Sequence, residues 1–61
     1  MLSERERQVL EGIVDGLADK QVATRLGLSV ETVRTHVKNI YRKLQVTSRA
    51  ELLSRHIKGH L

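Results

Sequence analysis

Three cations recur at every fourth position in the middle of the chain, at Arg34, Lys38 and Arg42. An α-helix turns by about 100° per residue, so this spacing places all three on one face. Thr35 and Asn39, which can hydrogen-bond to bases or phosphates, lie on the same side. An arginine can grip guanine O6 and N7 bidentately, a lysine can do so more loosely, and a threonine methyl can contact the thymine methyl. The residue types therefore fit recognition of double-stranded DNA through its major groove.

The other side of the same segment is apolar and is predicted to face a core. Its members lie within a narrow arc of the helix and are Val33, Val37, Ile40 and Leu44, with Val30 and Tyr41 at the edge. Ser29 is a good N-cap, so the pattern predicts a helix from Val30 to about Leu44.

A short helix precedes this one. Asp19 is its predicted N-cap and Gly27 its predicted end, and only Gly27 and Leu28 then separate it from Ser29. Its predicted inner face consists of Val22, Ala23 and Leu26. Two helices joined by a glycine-containing turn of about three residues form a helix-turn-helix. A cationic helix face is by itself usually only a solvated surface, but behind such a turn it is predicted to read DNA.

The two outer helices are predicted from capping boxes, in which a serine and a glutamate three residues later satisfy each other's free amides. Ser3 with Glu6 begins the first helix, which ends near Asp15. Ser48 with Glu51 begins the last helix, which continues through position 57.

The chain has 61 residues, the length of one small domain. No alternating run of apolar and polar residues predicts a strand. The predicted fold class is therefore all-α, a four-helix bundle-like domain that contains a helix-turn-helix and spans residues 1–61.

Composition narrows the classes of function. Eleven Lys and Arg against seven Asp and Glu give a net charge of +4, which favours a polyanionic partner but also fits a merely soluble basic surface. There is no cysteine, which excludes disulfides, thiolate zinc sites and thiol nucleophiles. The single aromatic residue, Tyr41, weakens any interpretation based on stacking against single-stranded bases. No apolar run approaches a membrane span, and we expect a soluble, cytoplasmic protein without a membrane partner.

Catalytic and metal-binding chemistry find little support. Each serine and threonine has a capping or DNA-facing explanation, and neither a Ser–His–acid set nor a phosphate loop stands out. His56 and His60 lie four residues apart but have no carboxylate or thiolate close in sequence, which makes a poor zinc site. His36 lies between the core and the outward face, where a boundary role or a phosphate contact is expected. We therefore predict a non-enzyme with no metal, cofactor or small-molecule ligand.

Several segments resemble the LuxR/FixJ/NarL-type DNA-binding domain of bacterial transcription regulators. They are Leu2–Leu10, Lys20–Ala23 with Leu26, Leu28–Ser29, Thr32–Val37 and Lys43–Arg49. The resemblance extends from Leu2 to about Ile57 and implies a four-helix fold with Val30–Leu44 as the recognition helix. Domains of this family usually lie at the C-terminus behind a phospho-receiver or ligand sensor, so we expect an excised output module or a stand-alone member.

The resemblance also implies residue roles. The residues at the base edges are expected to be Arg34, Thr35 and Lys38. The residues on the phosphates are expected to be Lys20, Gln21, Thr32, Asn39 and Arg42. Two copies are expected to bind a two-fold symmetric site, because one short recognition helix reads only a few base pairs. Pairing is expected through the fourth helix, by Leu52, Leu53 and Ile57, although the face that pairs is left open. RNA polymerase is a further possible partner.

Two alternatives remain open, the promoter-reading helix-turn-helix of a sigma factor and a helical protein-interaction module. The chain departs from the family pattern at Gln45, where a glycine is usual, and at Leu52 and His56, where alanine is common. Glu6 and Arg49 are either exposed charges that serve caps or a pair that joins the first helix to the last.

Overall fold

In a computed structural model, the chain is described for residues 1–57, apart from the side chain of Ile57. These residues form α1 (Glu4–Val14), α2 (Asp19–Leu26), α3 (Val30–Leu44) and α4 (Arg49–Ile57), with no strand among them. Only residues 27–29 separate α2 from α3. The predicted all-α class and the helix-turn-helix are confirmed.

One core joins the helices, and α3 packs against both α1 and α2. The buried apolar residues are Val9, Ile13, Val22, Ala23, Val33, Val37, Ile40, Val46 and Leu52. Gly12 lies where α1 meets α2, and a Cβ atom there would lie 2.8 Å from Cγ2 of Val22. The close approach of these two helices therefore requires the glycine in the middle of α1.

The predicted N-caps of α1 and α3 are confirmed. Ser3 Oγ accepts from the amide of Glu6 at 3.1 Å, and the Glu6 carboxylate accepts from the amide of Ser3 at 2.8 Å. Ser29 Oγ accepts from the amide of Thr32 at 3.1 Å.

The predicted cap of α4 forms only in part. Ser48 Oγ accepts from the amide of Glu51 at 3.1 Å. The Glu51 carboxylate accepts from the amide of Thr47 at 3.2 Å, one residue before the predicted partner. Both side chains still satisfy free amides at the start of the helix.

The prediction that Asp19 caps α2 is wrong. Asp19 is the first helical residue, and Ala18 occupies the N-cap position. Gln21 Oε1 accepts from the amide of Ala18 at 2.8 Å, while the Asp19 carboxylate accepts from Nη2 of Arg49 at 2.5 Å. The Asp19 carboxylate, which the sequence pattern assigned to the cap of α2, is therefore bound by Arg49, a residue distant in sequence.

Of the two alternatives for Glu6 and Arg49, the pair between them does not form, because each residue binds a different partner. Glu6 accepts from Nζ of Lys43 at 2.8 Å, which joins α1 to α3. Arg49 binds Asp19 and also donates to the carbonyl of Leu17 at 3.3 Å. Desolvation by burial is the largest single influence on Arg49 and lowers its pKa, but the hydrogen bonds and charge interactions with Asp19 and Tyr41 together outweigh it, so the pKa is raised above its ordinary value.

The first three helices end in the same way, with one residue in the left-handed conformation. These residues are Gly16 (φ 87°), Gly27 (φ 69°) and Gln45 (φ 57°). In each case the next amide donates to a carbonyl five residues earlier, in the bonds Leu17–Gly12, Leu28–Ala23 and Val46–Tyr41 of 3.0, 2.9 and 3.0 Å. This is the Schellman arrangement, which satisfies carbonyls that the helix leaves free. Among the described residues, Gln45 is the only non-glycine with positive φ.

Replacement of Gln45 by glycine is predicted to stabilise the fold. A side chain in the left-handed region crowds the following carbonyl, and its removal should raise the free energy of unfolding by about 1 kcal/mol. In a domain of this size that corresponds to a rise in Tm of about 4–8 °C, measurable by thermal unfolding followed by circular dichroism. Gln45→Ala is the control, because alanine keeps the Cβ atom and should bring no comparable gain. An equal change for both variants would contradict this account of the helix end.

Acid is predicted to destabilise the fold through Glu6. The hydrogen bond from Lys43, followed by that from the amide of Ser3, lowers the pKa of Glu6 from 4.5 to about 2. Because the folded-state pKa is the lower one, the stabilisation is present above about 4.5 and is lost as the pH falls towards about 2. In denaturant titrations, wild type and Glu6→Gln should therefore differ most at neutral pH and converge across this window. Glu4→Gln, in an exposed pair with Arg7, is the control and should change stability less than Glu6→Gln at neutral pH. A constant difference between wild type and Glu6→Gln over this pH window would disprove the role of the pair.

Candidate nucleic-acid interface

The three residues predicted at the base edges lie together on the exposed side of α3. Arg34, Thr35 and Lys38 are all exposed, whereas Val33 and Val37, which each directly precede one of them, are buried. The helical period and the packing of α3 therefore present these three side chains on consecutive turns of one surface.

Hydrogen bonds within α3 determine which groups of Thr35 and Asn39 remain available to contact a ligand. Thr35 Oγ1 donates to the carbonyl of Glu31 at 3.1 Å, so an outside contact is left to its methyl group or to its oxygen as an acceptor. Asn39 Oδ1 accepts from Nη2 of Arg42 at 2.5 Å, which leaves the amide nitrogen of Asn39 as a donor. A free amide donor beside an arginine suits a phosphate oxygen.

The other predicted phosphate contacts lie at the beginnings of α2 and α3. Lys20 and Gln21 are exposed in the first turn of α2, and Thr32 is exposed in the first turn of α3. Thr32 Oγ1 accepts from Ser29 Oγ at 2.8 Å, which leaves the Thr32 hydroxyl proton available. Helix N-termini carry partial positive charge and free amides, so both positions suit anions.

Ion pairs occupy four of the basic side chains outside this surface. The paired cations and their carboxylates are Arg7 with Glu4 and Glu11, Arg25 with Asp15, Lys43 with Glu6, and Arg49 with Asp19. Each of these cations is thereby neutralised within the fold.

Lys20, Lys38 and Arg42 form no ion pair with any residue of the described part of the chain. Arg5 and Arg55 also lack a carboxylate partner there, but Arg5 lies on α1 and Arg55 donates to the carbonyl of Leu44 at 2.6 Å. Three of the five described cations without a carboxylate partner therefore lie on α3 and the start of α2.

His36 lies between the core and this surface, as predicted. It is half-buried, and its Nδ1 atom is buried without a hydrogen-bond partner among the described residues. A neutral ring is therefore expected to carry its proton on Nε2, because an N–H at Nδ1 would have no acceptor.

The prediction that Leu52 lies at a dimer interface is wrong for this conformation, because its side chain is 0% exposed within the core of its own chain. Leu53 is partly buried and packs against the same core, and His56 is exposed. The side chain of Ile57 lies outside the described residues. An open groove beside α4 is lined by Leu2, Leu10, Val14 and His56, with Arg7, Glu11 and Asp15 at its polar positions.

No group of three or more His, Cys, Asp or Glu residues is placed to hold a metal ion within residues 1–57. The predicted neighbour of His56, His60, lies outside that range. None of the described helices is long and apolar enough to cross a membrane.

Residues 1–55 match the family model described as bacterial regulatory proteins, luxR family. The chain is 47% identical over 49 residues to the nitrate/nitrite response regulator protein NarP of Escherichia coli (strain K12). The aligned region covers 80% of this chain and 23% of that protein. It is 45% identical over 58 residues to the transcriptional regulatory protein UhpA of the same strain. Here the aligned region covers 95% of this chain and 30% of that protein.

A third relative is the transcriptional regulatory protein FixJ of Azorhizobium caulinodans, which is 48% identical to this chain over 52 residues. This alignment covers 85% of this chain and 25% of that protein. The chain thus spans between 23% and 30% of the length of these three relatives.

Proposed function

This chain belongs to the luxR family of bacterial regulatory proteins, and we propose that it binds double-stranded DNA sequence-specifically as the output module of a transcription regulator. The observation that carries the proposal is the concentration of unpaired cations, Lys20, Lys38 and Arg42, on α3 and the start of α2. In this proposal residues 1–61 form one domain, the C-terminal part of a larger regulator. It acts by binding and has no catalytic activity.

The exposed side of α3 enters the major groove, which is wide enough to admit an α-helix. Arg34 and Lys38 donate to guanine O6 and N7, and the methyl group of Thr35 contacts a thymine methyl. These contacts supply the sequence preference, because base edges carry the sequence information in the groove.

Phosphate contacts fix the register of α3 in the groove. The groups that serve this role are Lys20, Gln21, Thr32, Asn39 and Arg42. Their donors lie at the start of α2 and along the edges of the exposed side of α3, where the two DNA backbones flank a helix in the major groove.

Two copies bind one site through two-fold symmetry, with α4 as the contact. Because Leu52 is buried in the core, the proposed pairing surface on α4 includes the partly exposed Leu53 and the exposed His56. So small an apolar surface favours a monomer in free solution that pairs on DNA.

A protein-interaction module is the less favoured function. Such a module would present an apolar seam beside a weak basic patch, whereas the exposed side of α3 carries Arg34, Lys38 and Arg42. The named relatives are regulators, which disfavours the sigma-factor alternative.

Alanine substitutions are predicted to separate phosphate contacts from base contacts. Lys20→Ala and Arg42→Ala should weaken binding to all duplexes alike and reduce the salt slope by about one unit each. Arg34→Ala and Lys38→Ala should cost about 1–3 kcal/mol on the selected site and relax its sequence preference. The measurement is fluorescence anisotropy on selected and scrambled duplexes over a range of salt concentrations.

Arg7→Ala is the matched control, since it also removes one cation, but from an ion-paired position on α1. It should change affinity less than Lys20→Ala. An equal effect of all five variants would show that only net charge matters, and binding that is independent of salt would contradict the proposal altogether.

The complex on the best duplex is predicted to contain two chains. Sedimentation velocity should show a monomer without DNA, one chain on an isolated half-site, and two chains on a duplex with two half-sites about one helical turn apart. A one-to-one complex on a selected site without symmetry would refute pairing while leaving DNA binding intact.

A further inference from the structure

Asp19 places a carboxylate beside the surface that is proposed to bind a polyanion. Its two oxygens have different partners: Oδ1 accepts from Nη2 of Arg49 at 2.5 Å, and Oδ2 lies 3.8 Å from Nε of Arg34. An acidic group in this position repels phosphates, so its presence calls for a compensating role.

Arg49 holds the carboxylate in place. The Arg49 side chain is 35% exposed and also donates to the carbonyl of Leu17 at 3.3 Å, so it is fixed to the connection between α1 and α2 as well as to Asp19. The Asp19 side chain is itself only 26% exposed. The orientation of Asp19 is therefore set from the protein side and does not depend on Arg34.

Arg34 is the most exposed member of the set, with a side chain that is 65% exposed. The Asp19 carboxylate approaches Nε, and neither Nη atom of Arg34 has a hydrogen-bond partner among the described residues. The two Nη atoms form a planar fork that matches O6 and N7 of guanine. A long exposed side chain loses rotamer freedom when it binds, and a partner that restrains it beforehand reduces that loss.

We propose that Asp19, anchored by Arg49, is a positioning residue that orients the guanidinium of Arg34 so that its Nη fork faces the base edge. This inference rests on the proposed function and deepens it, because it assigns a source of sequence preference outside α3. Asp19 weakens attraction to DNA in general and improves discrimination at the one base pair that Arg34 reads.

The test compares wild type, Asp19→Asn, Arg34→Ala and the double variant on the selected duplex and on duplexes altered at one base pair each. Arg34→Ala identifies the base pair that Arg34 reads. Asp19→Asn should reduce discrimination at that base pair by about two- to tenfold, and by much less at the others, while binding to scrambled duplex becomes tighter. In the Arg34→Ala background, Asp19→Asn should not change discrimination further.

A second variant, for use if Asp19→Asn impairs folding, keeps both Asp19 and Arg34 and removes only the anchor. Arg49→Met, compared by melting temperature and discrimination, reports the effect of losing the anchor. It should lower both.

The results separate the inference from the function on which it rests. If Asp19→Asn tightens binding to every duplex by the same factor, Asp19 is only a competing charge and the positioning role is overturned. If the folded proteins bind no duplex even at low salt, the proposed function itself fails. Selective loss at the Arg34 base pair supports both.

Discussion

The burial of one face of α3 is the constraint on which the other features depend. Val33, Val37 and Ile40 pack against α1 and α2, and the helical period then leaves Arg34 and Lys38 outside. A helix of this length in a small domain has one rotation that fills the core. The surface offered to a partner is therefore a consequence of core packing and is preorganised before any ligand arrives.

Ion pairs divide the basic residues between folding and binding. Glu6 pairs with Lys43, which joins α1 to α3. Asp19 pairs with Arg49, which joins the start of α2 to α4. These contacts fix how the helices meet, and they also remove two cations from the surface charge. Among the described residues, three of the five cations that lack a carboxylate partner lie on α3 and the first turn of α2. A charged ligand meets a localised field rather than a uniformly basic protein.

Local signals predicted the helices well because their determinants lie close in sequence. The bounds Val30–Leu44 follow from the Ser29 cap, the preceding glycine and one apolar arc. The ion-pair partners of the charged side chains were harder to predict, because they depend on distances between helices. The carboxylate of Asp19 fits an N-cap by residue type, yet a part-buried arginine 30 positions away binds it. Periodicity likewise left two faces of α4 open, and packing decided that Leu52 is internal. The roles at the DNA surface come from chemistry and resemblance and stay predictions.

The central claim is that the exposed side of α3 and the first turn of α2 form the DNA surface. Its most direct test is to titrate isotope-labelled protein with its selected duplex and follow backbone and side-chain amides by nuclear magnetic resonance. The account predicts the largest shift changes in the first turn of α2, around Lys20 and Gln21, and along α3 from Glu31 to Arg42. The outer face of α1, around Arg7 and Glu11, should change little. Changes concentrated in the groove between α1 and α4, with α3 unaffected, would contradict the account.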